Sequence, residues 1–416
     1  MRKLFVGIFI SVLTVSAFAQ DKALLETLVK KGMLTQQEAT QIAKASVVVT
    51  PEAKATKSIK VTGGMQGWFK WAGSDVSSGS ASIDDVSGFE LRYIKVGMEA
   101  DIGSGWSANI VMDFGSEASK RNYLDRVVVA KKVDIEYIDG KIEIGLRKSN
   151  MGVEQITDDF GLLAISRSVS TDFFTSPNHA QLGEKNFGGR TVGVFWDGEI
   201  SQIEGLYYSV AVTSETTEGS KDIINNISAD SGLSYYVAVG YKNVIELEGE
   251  TLSYNIGVNS GYASKGFKNI ANSKGEVYGL NPYLKLKYGG FTAMAEMFYQ
   301  SVEKSNAANK TASPLGVNAI VAYKFDLDDT MGAIEPVARF SYVTSGGLGV
   351  NSIKKDDGTY ATFNQAKAVY VGINWYTTKS IKTSLGYEYA MYTSGTDAAY
   401  KEVDNNTVLA QLQVVF

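Results

Sequence analysis

Basic side chains recur at alternate positions in segments whose other positions are apolar. Lys285 and Lys287 alternate with leucines in this way, and successive side chains of a strand point to opposite faces. Ammonium and guanidinium groups on one face can replace the water that an anion loses in a narrow passage, through charge-assisted hydrogen bonds. The sequence therefore predicts contacts between this face and small anions or polar solutes. The basic residues assigned to it are Arg147, Lys285, Lys287, Arg339 and Lys382, and the same pattern adds Lys60, Lys70 and Lys95.

Acidic residues share this polar face, so the predicted lining is mixed rather than uniformly basic. Any single charge in it is also explained as an ordinary solvated residue without a specific role. The acidic members are Glu99, Asp113, Glu143, Glu296, Glu335 and Glu388.

The composition leaves little room for catalysis or metal binding. The chain has no Cys and one His, which removes thiolate chemistry and most histidine-dependent sites. His179 follows Ser176, Pro177 and Asn178, a sequence typical of a turn. We therefore expect no enzyme, no metal and no cofactor. A net charge of −5 indicates no nucleic-acid partner.

The last ten residues alternate strictly between apolar and mostly polar positions. Phe416, Val414 and Leu412 belong to one row, and Gln413 and Gln411 to the other. A chain that ends on Phe in such a strand resembles the closing strand of a bacterial outer-membrane β-barrel. The last strand of a soluble sandwich would explain this stretch equally well, so the rest of the chain has to decide.

Alternating segments of this kind recur from residue 58 to the end, apolar on one face and polar on the other, as transmembrane barrels require. We predict an all-β fold, a transmembrane antiparallel barrel of about sixteen strands. The predicted strands start near residues 58, 88, 106, 122, 141, 190, 200, 232, 249, 277, 291, 314, 334, 366, 381 and 406.

The predicted connections alternate between short turns and long polar loops, and barrels place the short turns in the periplasm. Neither this alternation nor the terminal Phe is explained by a sandwich or propeller. An even strand number also leaves both chain ends on the periplasmic side. Turns are predicted near 101–105, 138–140, 197–199, 243–248, 288–290, 326–333 and 376–380, and long loops near 74–87, 149–189, 214–231, 261–276, 302–313, 345–365 and 394–405.

The residues before the barrel form two units. Residues 1–19 have a basic start, a short apolar run and an Ala-Phe-Ala cleavage site, which predicts a signal peptide. Its removal leaves a net charge of −7. Residues 20–57 are predicted to form a periplasmic helical hairpin over 21–45 and a linker. The hairpin either packs on the lower rim of the barrel or contacts a periplasmic partner.

Several stretches in the predicted barrel resemble the phosphate-selective porin O/P family. The resemblance covers most of residues 58–416 and implies a sixteen-stranded trimeric porin in the outer membrane of a Gram-negative bacterium. It also implies a lumen lined by Arg and Lys that passes phosphate in the best-known members. The stretches are Gly88-Phe89-Glu90-Leu91-Arg92, Asp113-Phe114-Gly115-Ser116, Gly145-Leu146-Arg147-Lys148, Gly152-Val153-Glu154-Gln155, Arg167-Ser168, Arg190-Thr191-Val192-Gly193, Gly372-Ile373-Asn374-Trp375-Tyr376 and Gly386-Tyr387-Glu388-Tyr389.

The resemblance assigns the longest connection, 149–189, to the inward loop that narrows the channel; a surface flap is the alternative. Its apolar anchors are predicted to be Leu162, Leu163, Ile165 and the pair Phe173 and Phe174. The sequence departs from the family here, because Asn150-Met151 replaces Pro-Phe and the segment 164–168 lacks the family's Glu–Arg neighbour pair. We therefore expect a different pairing within the loop.

The predicted constriction loop carries a net charge of −3, which favours weak selectivity over a saturable phosphate site of high affinity. We expect an outer-membrane porin for passive diffusion of small hydrophilic solutes and ions, phosphate and other anions included. The alternative is a structural or adhesive barrel whose hairpin contacts the cell wall or a partner. The loop's charged residues are Glu154, Asp158, Asp159, Asp172 and Glu184 against Arg167 and Lys185, and Arg167 is also assigned to the channel lining with Arg147, Lys285, Lys287, Arg339 and Lys382.

Overall fold

The computed structural model describes Lys30 and residues 58–79, 83–116, 123–175, 187–214, 232–264, 276–303, 311–328, 330–354 and 360–416. The expected signal peptide and linker, and all of the expected hairpin but Lys30, lie outside the described residues. His179, Glu184 and Lys185 also lie outside them.

Sixteen long strands form one closed antiparallel barrel in which each strand pairs with the next and the last pairs with the first. This confirms the predicted fold class and strand number. The strands are β1 (Ser58–Ser78), β2 (Val86–Gly103), β3 (Trp106–Asp113), β4 (Leu124–Ile135), β5 (Ile138–Lys148), β6 (Arg190–Ile200), β7 (Leu206–Ser214), β8 (Leu233–Leu247), β9 (Glu250–Ala263), β10 (Val277–Tyr288), β11 (Phe291–Glu303), β12 (Leu315–Tyr323), β13 (Ala333–Thr344), β14 (Tyr360–Tyr376), β15 (Ile381–Gly395) and β16 (Glu402–Val415).

Shorter elements supplement this wall. Three strand segments, Thr311–Ala312, Phe325–Asp326 and Val350–Lys354, extend the pairing of β11, β13 and β14. Two helices, α1 (Val153–Ile156) and α2 (Val169–Thr175), and a 3₁₀ turn at Asp159–Gly161 lie in the connection between β5 and β6. Among the described residues, no helix is long and apolar enough to cross a membrane.

The first and last strands of the barrel, β1 and β16, pair in a regular ladder. Gly64 pairs with Val415, and the terminal Phe416 exchanges both backbone hydrogen bonds with Gly63, at 2.9 Å each. Leu412 and Phe416 are exposed on the outside, while Gln411 and Gln413 are buried on the inside. The alternation of the last ten residues therefore both closes the barrel and separates its two faces.

Large apolar side chains cover the outer face of the barrel. They alternate with buried polar or small residues on the same strands, as Val237 and Val239 do with Ala238 in β8. Such an outward apolar row is the pattern that barrels present to lipid. Exposed members on other strands include Ile110, Val194, Leu280, Val321, Phe340, Val371 and Leu385.

Three predicted turns, 138–140, 197–199 and 243–248, are wrong. The first two lie inside β5 and β6, where Gly140 pairs with Gly198, and the actual turns are 136–137 and 201–205. The third lies almost wholly inside β8, which continues to Leu247, so the actual turn is 248–249. The glycines serve close packing rather than a turn. A Cβ on Gly140 would lie 2.9 Å from Trp196 Nε1, and one on Gly198 would lie 2.6 Å from the Tyr208 hydroxyl.

Three strand starts also shift for reasons of pairing. β14 begins at Tyr360 rather than near 366, because it continues beyond the barrel wall and pairs with Val350–Lys354. β16 begins at Glu402 rather than near 406, since its ladder to β1 extends to Ser78. β7 begins at Leu206 rather than near 200, after the turn that follows β6.

Candidate pore site

The described part of the β5–β6 connection lies inside the barrel. It leaves the wall between β5 and β6, yet side chains of β1, β14, β15 and β16 donate hydrogen bonds to its carbonyl oxygens. Only a segment that crosses the lumen can reach these strands. The bonds run from Gln66 Nε2 to Asp159 (3.0 Å), from Asn374 Nδ2 to Leu163 (2.9 Å), from Lys382 Nζ to Leu162 (3.0 Å) and from Gln413 Nε2 to Phe160 (3.0 Å).

Glu296 of β11 holds the start of this crossing segment. Its buried carboxylate accepts hydrogen bonds from the backbone N–H groups of Val153 (2.6 Å) and Glu154 (3.2 Å), the first residues of α1. A carboxylate at this end also interacts favourably with the helix dipole. Asn281 Nδ2 donates to the same carboxylate at 3.1 Å, and the Thr171 hydroxyl of α2 donates to it at 3.3 Å. One wall residue therefore fixes both loop helices.

Arg339 of β13, two strands along the wall from Glu296, also binds the crossing segment. Its guanidinium donates to the Glu154 carboxylate at 3.1 Å and to the Ser166 carbonyl oxygen at 2.5 Å. It also donates to Glu388 of β15 at 2.7 Å. The Arg339 side chain is buried, so its charge acts on the loop and on Glu388 rather than on open lumen.

Arg167 and Asp159 pair within the loop, at a separation of eight residues. The Arg167 guanidinium lies 2.6 Å from the Asp159 carboxylate, which Lys95 of β2 also contacts. Burial alone would raise the pKa of Asp159, but the Lys95 ammonium and the Arg167 guanidinium hold that pKa well below its usual range. The missing Glu–Arg neighbour pair is thus replaced by a longer-range pair.

Apolar contacts anchor the loop towards the long-loop end of the barrel. Phe174 stacks on Phe298 of β11 with ring centroids 5.0 Å apart, and Phe173 packs edge-on against Phe174. The wall contributes inward apolar residues here, among them Phe195 and Phe363. The sequence interpretation missed them, because it treated every inward row as polar. The signal was a phenylalanine on the polar row of a strand, as at Phe195.

Arg147 of β5 is also engaged by neighbours. Its guanidinium donates hydrogen bonds to Glu143 at 2.6 Å and to Asp197 of β6 at 3.1 Å. It also donates to Asn150 Oδ1. Its side chain is buried against Phe195. Arg147 therefore organises the wall below the loop.

A cavity of about 790 Å³ lies between the loop and the inner wall of β4 to β10. Lys285 lines this cavity and also a neighbouring one of about 180 Å³, which lies under the loop against β10, β11 and β12. Among the described residues its ammonium has no hydrogen bond or ion pair. Lys287 stands two positions further along β10, on the same face and exposed. Lys285 thus lines both cavities with an ammonium that is unpaired among the described residues.

The family comparison agrees with this architecture. The family model for phosphate-selective porin O and P matches residues 60–416. The chain belongs to this family. Membership of this family makes the porin an outer-membrane channel protein. A comparison with curated protein sequences finds no significant match.

Solved porins share the fold of this porin at low sequence identity. OprB of Pseudomonas putida is 10% identical with a TM-score of 0.58, over 86% of this chain and 94% of its own. An anion-selective porin from Comamonas acidovorans is 12% identical with a TM-score of 0.55, over 86% and 99%. The outer membrane channel DcaP of Acinetobacter baumannii is 12% identical with a TM-score of 0.53, over 88% and 99%.

The charges around the larger cavity have a small positive surplus. Six basic and four acidic side chains line it or belong to ion-pair networks that include lining residues, which leaves a net charge of +2. The basic residues are Arg126, Lys132, Lys141, Arg147, Lys242 and Lys285, and the acidic ones are Asp139, Glu143, Asp197 and Glu199.

The acidic residues of the loop make the electrostatic potential in the lumen less negative than their number indicates. Glu154 and Asp159 are buried in ion pairs with Arg339 and with Lys95 and Arg167. Asp158 caps the 3₁₀ turn by accepting from the Phe160 N–H at 2.8 Å. Burial raises the pKa of Asp172 to about 6, although Arg167 opposes the shift. The predicted −3 of the loop is therefore largely compensated by wall cations.

Proposed function

We propose that the porin allows passive diffusion of small hydrophilic solutes and ions with a weak preference for anions. The observation that carries this proposal is the Lys285 ammonium, which lines both cavities and has no partner among the described residues. The small positive surplus around the larger cavity acts in the same direction. In a narrow lumen with low-dielectric walls, nearby fixed charges dominate the field that an ion experiences.

A phosphate site of high affinity needs several cations that converge on one position. Five of the basic residues assigned to the lumen have other partners in the structure. Arg147 binds the wall, Arg167 binds the loop, and Arg339, Lys382 and Lys95 join the loop to the wall. The members of that set without such a partner among the described residues are Lys60, Lys70, Lys285 and Lys287. We therefore propose that phosphate passes as one small anion among others.

Liposome swelling tests this function directly. Vesicles that contain the purified porin should swell in isotonic solutions of small sugars, because a diffusion channel passes neutral hydrophilic solutes. Vesicles with heat-denatured protein serve as the control. A folded barrel that gives no swelling would instead support a structural or adhesive role.

The assembly and the remaining parts of the chain are proposals as well. We expect a homotrimer in the outer membrane, with residues 20–57 as a periplasmic hairpin and linker after loss of residues 1–19. Phe89 is 88% exposed on the outer face beside Phe69, which gives this side of the barrel an aromatic surface for lipid or another subunit. Chemical cross-linking of the porin in native membranes should give a trimer band, and a monomer alone would contradict this assembly.

A further inference from the structure

Two tyrosine rings cover the wall of the larger cavity at a place where the wall has no side chains. Gly240 of β8 and Gly257 of β9 are direct partners in the ladder. Tyr207 reaches over Gly240 from β7, and Tyr283 reaches over Gly257 from β10. A Cβ on Gly257 would lie 2.7 Å from the Tyr283 hydroxyl oxygen. Any larger residue at these positions would displace the rings.

Hydrogen bonds fix the two rings in this arrangement. The hydroxyl groups of Tyr207 and Tyr283 contact each other above the glycine pair. The Tyr207 hydroxyl also donates to Asn255 Oδ1 at 2.6 Å. The two rings therefore span β7 to β10 as one continuous surface, which we name the tyrosine platform.

The rings of the tyrosine platform border the open space of the cavity. A tyrosine that covers another glycine pair of the wall is buried instead, so exposure to the cavity distinguishes the platform. Tyr370 covers the glycine pair Gly372 and Gly386 in the same way on the opposite wall, but it is 1% exposed under the loop. Its hydroxyl accepts a hydrogen bond from the Ile165 N–H of the loop. Tyr207 and Tyr283 are only partly buried and line the cavity of about 790 Å³, a volume within the range of small-molecule sites.

A positive charge flanks the platform at each end. Lys285 lies two residues from Tyr283 on the same face of β10, without a partner among the described residues. At the other end, Lys242 Nζ lies 6.0 Å from the centroid of the Tyr207 ring and is paired with Glu199 at 2.5 Å. The end at Lys285 therefore has the free charge.

We propose that the tyrosine platform and Lys285 form a subsite for small planar organic anions, such as aromatic carboxylates. A flat ring gains contact with the tyrosine rings, and its carboxylate accepts a hydrogen bond from the Lys285 ammonium. A neutral ring solute gains only the stacking, and acetate gains only the charge. This proposal rests on the proposed anion-preferring channel, since the anion has to reach the cavity.

Benzoate block of the channel current tests the subsite, with acetate and benzyl alcohol as matched probes. In planar bilayers benzoate should reduce the chloride current at lower concentration than either probe. Tyr283→Leu removes a ring and should weaken the benzoate effect roughly two- to tenfold, the range expected for one aromatic contact. Lys285→Gln should weaken it similarly. Tyr283→Phe keeps the ring and should retain the block within about twofold.

The outcomes separate this subsite from the proposed function. Normal chloride current with equal block by benzoate and acetate, or unchanged block in Tyr283→Leu, would overturn the subsite and leave the channel intact. Absence of current would overturn the proposed function, and saturation-transfer NMR of benzoate with detergent-solubilised porin then tests binding without conduction. If Tyr283→Leu does not fold, Lys285→Gln and the probe comparison on the native porin decide.

Discussion

Lys285→Glu should abolish the anion preference of the channel without disturbing the barrel. The ammonium has no partner among the described residues, so its replacement breaks no ion pair there. The ionisable residues around the larger cavity would change from six basic and four acidic to five of each. The field that a permeating ion meets at this point would then be close to neutral.

The magnitude follows from Coulomb's law in a water-filled lumen. A unit charge about 5 Å from an ion contributes roughly 0.5–1 kcal/mol once the dielectric constant of water and salt screening are included. Reversing the sign at Lys285 doubles this value, so the local concentration of a monovalent anion should fall about five- to thirtyfold. The local cation concentration should rise by a similar factor, because the same potential acts on the opposite charge.

The assay is the zero-current potential of single porin channels in a KCl gradient, compared between the native porin and Lys285→Glu. Lys131→Glu is a matched control, because Lys131 donates to the Ser104 carbonyl oxygen and lies beside Trp106 on the outer face. The control should keep the native potential. An unchanged potential in Lys285→Glu would refute the assignment of Lys285 to the permeation path.

Three further predictions concern the loop and the closure. Glu296→Ala should release α1, because the lost hydrogen bonds to buried donors are worth about 3 kcal/mol or more, and single channels should show larger and noisier currents; steady native currents would contradict this. Deletion of Phe416 removes two backbone hydrogen bonds to Gly63 and should sharply lower the outer-membrane level measured by fractionation, whereas a normal level would contradict the closure argument. Asp172 has a folded-state pKa of about 6, above its ordinary value, so its protonation between pH 7.5 and 5 should stabilise the folded loop and increase the anion preference of the channel. Asp172→Asn should remove this pH dependence of the zero-current potential. An unchanged dependence in Asp172→Asn would exclude Asp172 as its source.

The barrel could be predicted from sequence because its physical demands are local. Each wall residue faces either lipid or lumen, so two-residue alternation predicts strands, and the terminal run from Val408 to Phe416 predicts closure. Turns were harder, since Gly140 and Gly198 look like turn residues but are there to accept Trp196 and Tyr208 across the sheet. That requirement comes from neighbouring strands and leaves no periodic signal in one segment.

The pore lining was only partly predictable, because alternation gives the face of a residue but not its partner. It grouped Lys285 with Arg339 and Lys382 on one polar face. It could not show that Arg339 binds Glu154 and Lys382 binds a loop carbonyl, since these partners lie more than 180 residues away in sequence. The tyrosine platform was missed for the same reason. Tyr207 and Tyr283 lie 76 residues apart in sequence, and the ladder from β7 to β10 brings them together.

The zero-current potential of the native porin in a KCl gradient, measured with and without phosphate, tests the account most directly. A diffusion channel with a small positive surplus should give a modest potential of the sign that anion preference dictates. Submillimolar phosphate should leave the chloride current unchanged. A cation-selective potential, or block of chloride current by submillimolar phosphate, would contradict the weakly anion-preferring channel proposed for this porin.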